Sequence, residues 1–164
     1  MVDRFHTFPK DIDSLKITVI NFMGLSFITF TLRRKMMKLG YILLYVEDVT
    51  KTIEFYEKAF GLKRGFVSDS NTFGEMETGL TKLGFVSISL AKESHLTFTI
   101  VRPGETPPGI EVGFVTENVE ESFQKSLQAG AVEVCRPIQK PWGQIVSYVR
   151  DCNGFLVEIC SPMR

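Results

Sequence analysis

Two glutamates, Glu111 and Glu158, are the residues of this sequence best suited to chemistry. Each lies in a run of alternating apolar residues typical of a half-buried strand, GIEVGFV and FLVEIC. That alternation predicts that both carboxylates point into one partly apolar cavity. Burying an ionised carboxylate without a partner costs several kcal/mol, so such a pair needs protons, a base, a hard cation or a cationic ligand.

Several partners for these carboxylates remain open at this point. A neighbouring base could come from Arg64, Arg102 or Arg150. Oxygen-only ligation favours Mg²⁺, Mn²⁺ or Ca²⁺ over zinc or iron, which normally take imidazole or thiolate ligands. A plainer interpretation has Glu158 hydrogen-bonded to neighbouring hydroxyls and Glu111 solvated. His95 lies in a polar loop, so no histidine accompanies the pair.

Aromatic and amide side chains could complete a binding site. Trp142, in the loop KPWGQ, could stack on a planar ligand, and Gln144 could offer it an amide. Tyr41, Tyr45 and Tyr148 could line the cavity, although aromatic residues on strands more often serve packing alone.

Several classes of chemistry have no sequence support. There is no G-x-S-x-G motif, no glycine-rich phosphate loop and no Cys–His dyad. The formal net charge is zero and the only basic run is 33–35, which argues against nucleic-acid binding.

The three cysteines have no C-x-x-C spacing, which predicts reduced thiols and a cytoplasmic protein. Cys160 is expected on the face of Glu158, with no group to activate it.

The elements that must position these residues occur twice. A strand at 41–46 leads into a helix capped by Asp48 and ended by Gly61, and strands are predicted at 63–68, 73–78 and 83–90. The same order returns with a strand at 110–115, a helix from Asn118 to Gly130, and strands at 131–135, 144–150 and 155–160. Glu121 is expected to form a capping box with Asn118.

This repeat predicts an α+β domain of two tandem βαβββ modules that form a curved mixed sheet around a central pocket. The modules span about 38–91 and 109–162, with a proline-containing linker at 92–108. The alternation assigns Ile42, Leu44 and Val46 to the helix side of the first strand. In the 83–90 strand it assigns Val86 to the core and turns Ser87 and Ser89 toward the pocket.

Residues 1–36 differ in character from 37–164, the predicted domain. They carry six basic and three acidic residues, a net charge of +3, whereas 37–164 carries thirteen and sixteen, a net charge of −3. The apolar run 17–32 is slightly short for a bilayer span and is a poor signal peptide. Three interpretations stay open: a membrane-proximal anchor, an extra strand or helix packed on the domain or on a partner, or upstream sequence translated before a natural start at Met36 or Met37.

Two segments carry a family resemblance. YVEDVTKTIEFYEKAFGLK (45–63) and KPWGQIVSYVRDCNGFLVEI (140–159) resemble the vicinal oxygen chelate superfamily, which includes glyoxalases, bleomycin-resistance proteins and extradiol dioxygenases. The resemblance implies a homodimer and a cavity with four inward metal-ligand positions. In this sequence those positions fall on Tyr41, on Ser87 or Ser89, on Glu111 and on Glu158.

Only Glu111 and Glu158 among these positions could ligate a metal. We therefore expect a metal-independent protein that binds a small aromatic or cationic compound, an antibiotic being one candidate. The alternative is a divalent-metal-dependent lyase, isomerase or dioxygenase in which Glu111 and Glu158 hold the ion. A third hypothesis is a non-catalytic interaction protein that assembles through residues 1–36. The cofactor is accordingly either none or a divalent metal, and no membrane or nucleic-acid partner is expected.

Overall fold

The computed structural model describes residues 15–20, 27–32 and 37–163. The chain divides into two compact units, residues 1–39 and 40–164. In the first unit, β1 (Leu15–Ile20) and β2 (Phe27–Leu32) form an antiparallel pair. The role of residues 1–36 and the start at Met36 or Met37 stay predictions. Within the described ranges, no helix is long and apolar enough to cross a membrane.

The second unit contains eight strands and three helices. Its first half comprises β3 (Tyr41–Val46), α1 (Val49–Phe60), β4 (Arg64–Val67), β5 (Phe73–Met76), β6 (Lys82–Ser87) and α2 (Ile88–Glu93). Its second half comprises β7 (Glu111–Val115), α3 (Val119–Gln128), β8 (Val132–Gln139), β9 (Ile145–Arg150) and β10 (Leu156–Cys160).

The two halves have the same sheet topology. The first sheet has the order β3-β6-β5-β4 and the second the order β7-β10-β9-β8. In each, the first strand runs parallel to the last strand of its half, and the other neighbours are antiparallel. The α+β class and the tandem βαβββ organisation are therefore confirmed.

The predicted caps fix the long helices. The Asp48 carboxylate accepts a hydrogen bond from the Lys51 amide at 2.9 Å, and Gly61 ends α1 in the left-handed region at φ 69°. At α3, the Asn118 side chain accepts from the Glu121 amide at 3.2 Å and donates to the Glu121 carboxylate at 2.8 Å. These local signals place α1 and α3 where the sequence predicts them.

One predicted strand is wrong. Residues 83–90 do not form a single strand, because the chain leaves β6 at Ser87, whose hydroxyl accepts from the Leu90 amide at 3.2 Å and begins α2. The faces are also inverted: Phe85 lies in the core beneath the helix, while Val86 pairs with Tyr45. Ser87 and Ser89 therefore do not face a pocket. Since β6 is buried on both faces, its sequence has no alternation to fix the register.

Tyr56 of α1 is the centre of the core. Its ring is fully buried and lies 4.8 Å, centroid to centroid, from Phe85 of the first half and 6.3 Å from Phe114 of the second. Phe60 contacts Phe114 at 5.0 Å, and α1 packs against α3. One core therefore joins the two halves.

A buried hydrogen bond makes the same connection. The Tyr56 hydroxyl donates to Asp151 Oδ2 at 2.9 Å, while Asp151 Oδ1 accepts from the amides of Asn153 at 2.9 Å and Phe155 at 2.7 Å. Burial raises the pKa of Asp151, and these hydrogen bonds partly oppose that rise. Asp151 thus closes the β9–β10 turn and ties it to α1.

Replacing Tyr56 by Phe tests this connection. Because Tyr56→Phe leaves a buried carboxylate oxygen without its donor, we expect the free energy of unfolding to fall by about 1–3 kcal/mol. Urea denaturation followed by circular dichroism would measure the change. The matched control is Tyr148→Phe, which removes a hydroxyl that is only half-buried, and its effect should be smaller. An equal or larger loss in the control would contradict this role for Tyr56.

Candidate functional site

The predicted site residues that belong to strands lie on the sides of the two sheets that point away from α1 and α3, which we call the open face. Cross-strand pairing defines it, since Tyr41, Leu43 and Tyr45 of β3 pair in register with Lys82, Gly84 and Val86 of β6. In the second sheet, Glu158 of β10 lies between Gly113 of β7 and Tyr148 of β9. The open face includes Tyr41, Leu43, Tyr45, Phe73, Glu75, Lys82, Gly84, Val86, Glu111, Gly113, Val115, Tyr148, Leu156, Glu158 and Cys160.

Glu158 is held by Tyr148. The Tyr148 hydroxyl donates to Glu158 Oε2 at 2.8 Å, and both side chains are half-buried. The hydrogen bond to Glu158 and, secondarily, burial raise the pKa of Tyr148 to about 12. Tyr148 is therefore a neutral donor that positions the carboxylate, as the plainer interpretation of Glu158 expects. The Cys160 thiol is a second hydrogen-bond partner of the Glu158 side chain.

Glu111 is exposed. It lies two residues before Gly113 on β7, so both residues are on the same face of the strand. Its charge contributes to the raised pKa values of both Tyr148 and Cys160, so the negative field of both glutamates spreads over this part of the open face. Burial, followed by Glu158, raises the pKa of Cys160 to about 11. The buried thiol is therefore protonated at neutral pH and is a poor nucleophile.

The space beside Glu158 is open because Gly113 has no side chain, and we call this space the slot. A Cβ built at Gly113 would meet no atom within 4 Å. In the corresponding pair of the first sheet, the glycine is on the last strand and the side chain is on the first: Gly84 of β6 lies beside Leu43 of β3. A Cβ built at Gly84 would be 2.6 Å from Leu43 Cδ2, so leucine fills this space. The first half is thus filled by leucine, whereas the second half leaves space next to a carboxylate.

The donor set does not fit a resident metal ion. The register that places Glu158 on β10 places Gly84, not Ser87 or Ser89, at the equivalent position of β6. The four inward positions are then Tyr41, Gly84, Glu111 and Glu158, with only two carboxylates. Across residues 37–163, no three His, Cys, Asp or Glu side chains lie together as a metal site.

The predicted bases are engaged elsewhere. Arg64 makes two hydrogen bonds to the Glu57 carboxylate, at 3.2 and 2.8 Å. Arg150 donates to the carbonyls of Gly154 and Arg102, which fastens the linker to the last turn. None of the ion pairs found in the described part of the chain includes Glu111 or Glu158.

Trp142 and Gln144 come together at the end of the second sheet. The Trp142 indole donates to Gln144 Oε1 at 3.0 Å, and Gln144 Nε2 donates to the Ser161 carbonyl at 2.9 Å. Gln144 therefore has its amide group occupied in holding Trp142 and the end of β10. The Trp142 side chain remains 64% exposed, so its ring faces stay accessible.

The linker supplies an aromatic residue that sequence reasoning missed. Phe98 packs on Tyr45 with a centroid distance of 4.5 Å and an interplanar angle of 33°. Tyr41, in contrast, is 57% exposed. The only available signal was an aromatic side chain in a proline-containing linker, which does not say which strand it will cover. Phe98 shields one end of the first sheet's open face.

Comparison with known proteins agrees with this geometry. Residues 39–164 match the sequence model of the glyoxalase-like domain. The chain belongs to this family.

Two curated relatives and one solved structure illustrate the similarity. The uncharacterized protein YraH of Bacillus subtilis (strain 168) is 27% identical over 124 residues, which are 75% of this chain and 97% of that protein. Virulence protein STM3117 of Salmonella typhimurium is 29% identical over 126 residues, 74% and 82% of the two chains. A glyoxalase-related enzyme from Fulvimarina pelagi superposes with a TM-score of 0.67 at 18% identity, covering 77% and 89% of the two chains.

The pairing of Glu158 with Tyr148 has a measurable signature. In Glu158→Gln the phenol loses its carboxylate acceptor and a nearby negative charge that opposes phenolate formation, so the pKa of Tyr148 should fall from about 12 toward its ordinary value of 10.0. NMR titration of labelled tyrosine would follow it. Glu111→Gln, which removes charge but no hydrogen bond, should have a smaller effect. An unchanged pKa in Glu158→Gln would contradict the pairing.

Proposed function

We propose that this chain binds a small cationic molecule with an aromatic or apolar part, without using a metal ion. The observation that carries this proposal is the slot over Gly113 beside Glu158, a half-buried carboxylate with a neutral tyrosine donor as its hydrogen-bond partner. A cationic group in that slot would pair with Glu158. Such a charge-assisted bond is stronger than a neutral one.

The charge on the second sheet's part of the open face supports a cationic ligand. Glu111 and Glu158 lie on neighbouring strands of the second sheet, and neither forms an ion pair with a described residue. Two carboxylates of like charge at close range favour a cation between or above them. An anionic ligand would instead add to their mutual repulsion.

The first sheet supports an apolar or aromatic part. Leu43 and Tyr41, both more than two-fifths exposed, present apolar surface on β3, and Tyr45 already accepts an aromatic ring from Phe98. Exposed aromatic residues with a polar end are well suited to stacking on ligands. Trp142 is a further exposed ring, presented by the loop before β9. An amine attached to a planar group would use both sheets.

Matched ligands test this proposal. Phenethylammonium and the neutral 2-phenylethanol have similar shapes, so NMR titration of the purified protein should show tighter binding of the cation. We expect Glu158→Gln to weaken binding of the cation about tenfold, as for loss of one charge-assisted hydrogen bond. Gly113→Val should block the slot. Treatment with EDTA should change nothing, because no metal takes part.

The chain offers controls for both substitutions. Glu54→Gln changes an exposed glutamate of α1, and Gly109→Val changes a glycine that likewise has open space around its Cβ position. Both variants should bind as the unmodified protein does. If binding instead requires added Mg²⁺ or Mn²⁺ and is lost in Glu158→Gln, the metal-dependent lyase, isomerase or dioxygenase becomes the better interpretation. Equal binding of both ligands would also refute the proposal.

The open face also supports a homodimer. Exposed apolar side chains continue from it to the outer strands, with Phe66 of β4 at 54%, Val115 at 65% and Val132 of β8 at 58%. Contiguous exposed apolar surface of this kind usually marks an interface. A second copy of the chain would cover it and help enclose the ligand.

The three free thiols, Cys135, Cys152 and Cys160, support a reducing compartment such as the cytoplasm.

Charge substitutions test the dimer. Introducing lysine at Val115 and Val132 together should convert the dimer to a monomer, because two ammonium groups per chain would have to be buried in an apolar interface. Sedimentation velocity would measure the mass. Leu80→Lys is the control, since Leu80 is fully exposed in the β5–β6 turn. A monomeric unmodified protein, or a double variant that stays dimeric, would contradict this interface.

A further inference from the structure

We propose that the ligand of the open face is a zwitterion, whose ammonium pairs with Glu158 on the second sheet and whose carboxylate is held by Tyr41 and Lys82 on the first. This inference rests on the proposed function and adds an anchor of opposite charge to the same site. Tyr41 of β3 and Lys82 of β6 are cross-strand partners in register, so their side chains lie side by side on the open face.

Tyr41 and Lys82 are donors that lack acceptors within the described ranges. The Lys82 side chain is half-buried and belongs to none of the ion pairs found there. Tyr41 is exposed, and its hydroxyl likewise has no partner among those residues. A partly desolvated ammonium is stabilised by an anion, and a hydroxyl beside it can donate to the second oxygen of a carboxylate. The pair is therefore suited to holding a carboxylate.

The acidic residues beside Lys82 lean away from it. Glu75 of β5 and Glu77, which follows that strand, share the open face by alternation. The Cγ atom of each lies 3.5 Å from the position of a Cβ built at Gly65 of β4. Since β4 and β6 lie on opposite sides of β5, both side chains extend away from Lys82. They leave its ammonium available to a ligand.

The second half has no equivalent of this donor pair. The shared topology makes Tyr41 equivalent to Glu111, and Lys82 equivalent to Leu156, the partner of Glu111 on β10. A hydroxyl and an ammonium in the first half thus correspond to a carboxylate and an apolar side chain in the second. Because Glu111 shares its sheet and face with Glu158, an anion is favoured on the first sheet and a cation on the second.

The two anchors lie on either side of the gap between β3 and β7. Lys82 and Gly113, the residue beside Glu158, both border a cavity of about 360 Å³ between these strands. Lys82 and Glu158 are each one strand in from the edge of their sheet, so two strand spacings of about 4.8 Å and the gap separate them. The ligand's two charges must therefore be well apart, as they are not in an α-amino acid.

Derivatives of phenethylammonium test the second anchor. 4-(2-Aminoethyl)benzoate carries a carboxylate at the end of the ring away from its ammonium, and 4-(2-aminoethyl)benzamide is its match without the negative charge. In calorimetric titration of the full chain, the benzoate should bind about tenfold more tightly than the benzamide, as for one charge-assisted hydrogen bond. Phenylalanine, whose carboxylate lies beside its ammonium, should bind no more tightly than phenethylammonium.

Lys82→Met should move two of these ligands in opposite directions. The benzoate should lose its advantage over the benzamide, whereas phenethylammonium should bind slightly more tightly because a repelling positive charge is gone. That gain would also show the variant to be folded. Tyr41→Phe should reduce the advantage about threefold, as for loss of one hydrogen bond. The matched control Lys58→Met removes an exposed lysine of α1, on the other side of the sheets, and should keep the full advantage.

The outcomes separate this inference from the proposed function. If phenethylammonium binds through Glu158 but the benzoate binds no more tightly than the benzamide, the carboxylate anchor alone is refuted. Persistence of the advantage in Lys82→Met, or an equal gain for phenylalanine, would refute it as well. Absence of binding by every ammonium ligand would overturn the proposed function and this inference with it.

Discussion

The buried contact between Tyr56 and Asp151 is the constraint on which the second unit depends. Tyr56 belongs to the first half and Asp151 to the last turn of the second, ninety-five residues later. An ionised carboxylate this deep in a protein is costly unless donors surround it, and Asp151 obtains three, from Tyr56, Asn153 and Phe155. The turn so fixed begins β10, the strand that carries Glu158, and the same Tyr56 ring packs against both halves.

A repeated fold has acquired two different surfaces through two residue pairs. At equivalent positions, the first half has Leu43 beside Gly84 and the second has Gly113 beside Glu158. In each pair one partner is glycine, so the other side chain decides the local chemistry: leucine fills its own space, while glutamate lies beside an open one. At this pair of positions the second half is acidic and the first is apolar, which suits a ligand with two dissimilar ends.

The opposite side of the same strands shows a different use of the fold. Because β3 and β7 are not paired with each other, their helix-facing residues Ile42 and Val112 line a gap rather than a continuous core. Backbone pairing within each sheet thus leaves room between the sheets.

From β3 onward, the sequence alone determined the order of the strands, both long helices and the faces of β7 and β10. These rest on local rules: side chains at Asp48 and Asn118 cap helices, and alternation of period two separates Glu158 from Val157. It failed at Ser87, where a strand buried on both sides carries no alternation and a serine could equally continue it or cap a helix. Only the tertiary structure decided that Tyr148 holds Glu158, that Leu43 fills the space over Gly84, and that Phe98 covers Tyr45. Those contacts depend on strand register and on where a linker folds back, and neither is encoded by neighbouring residues.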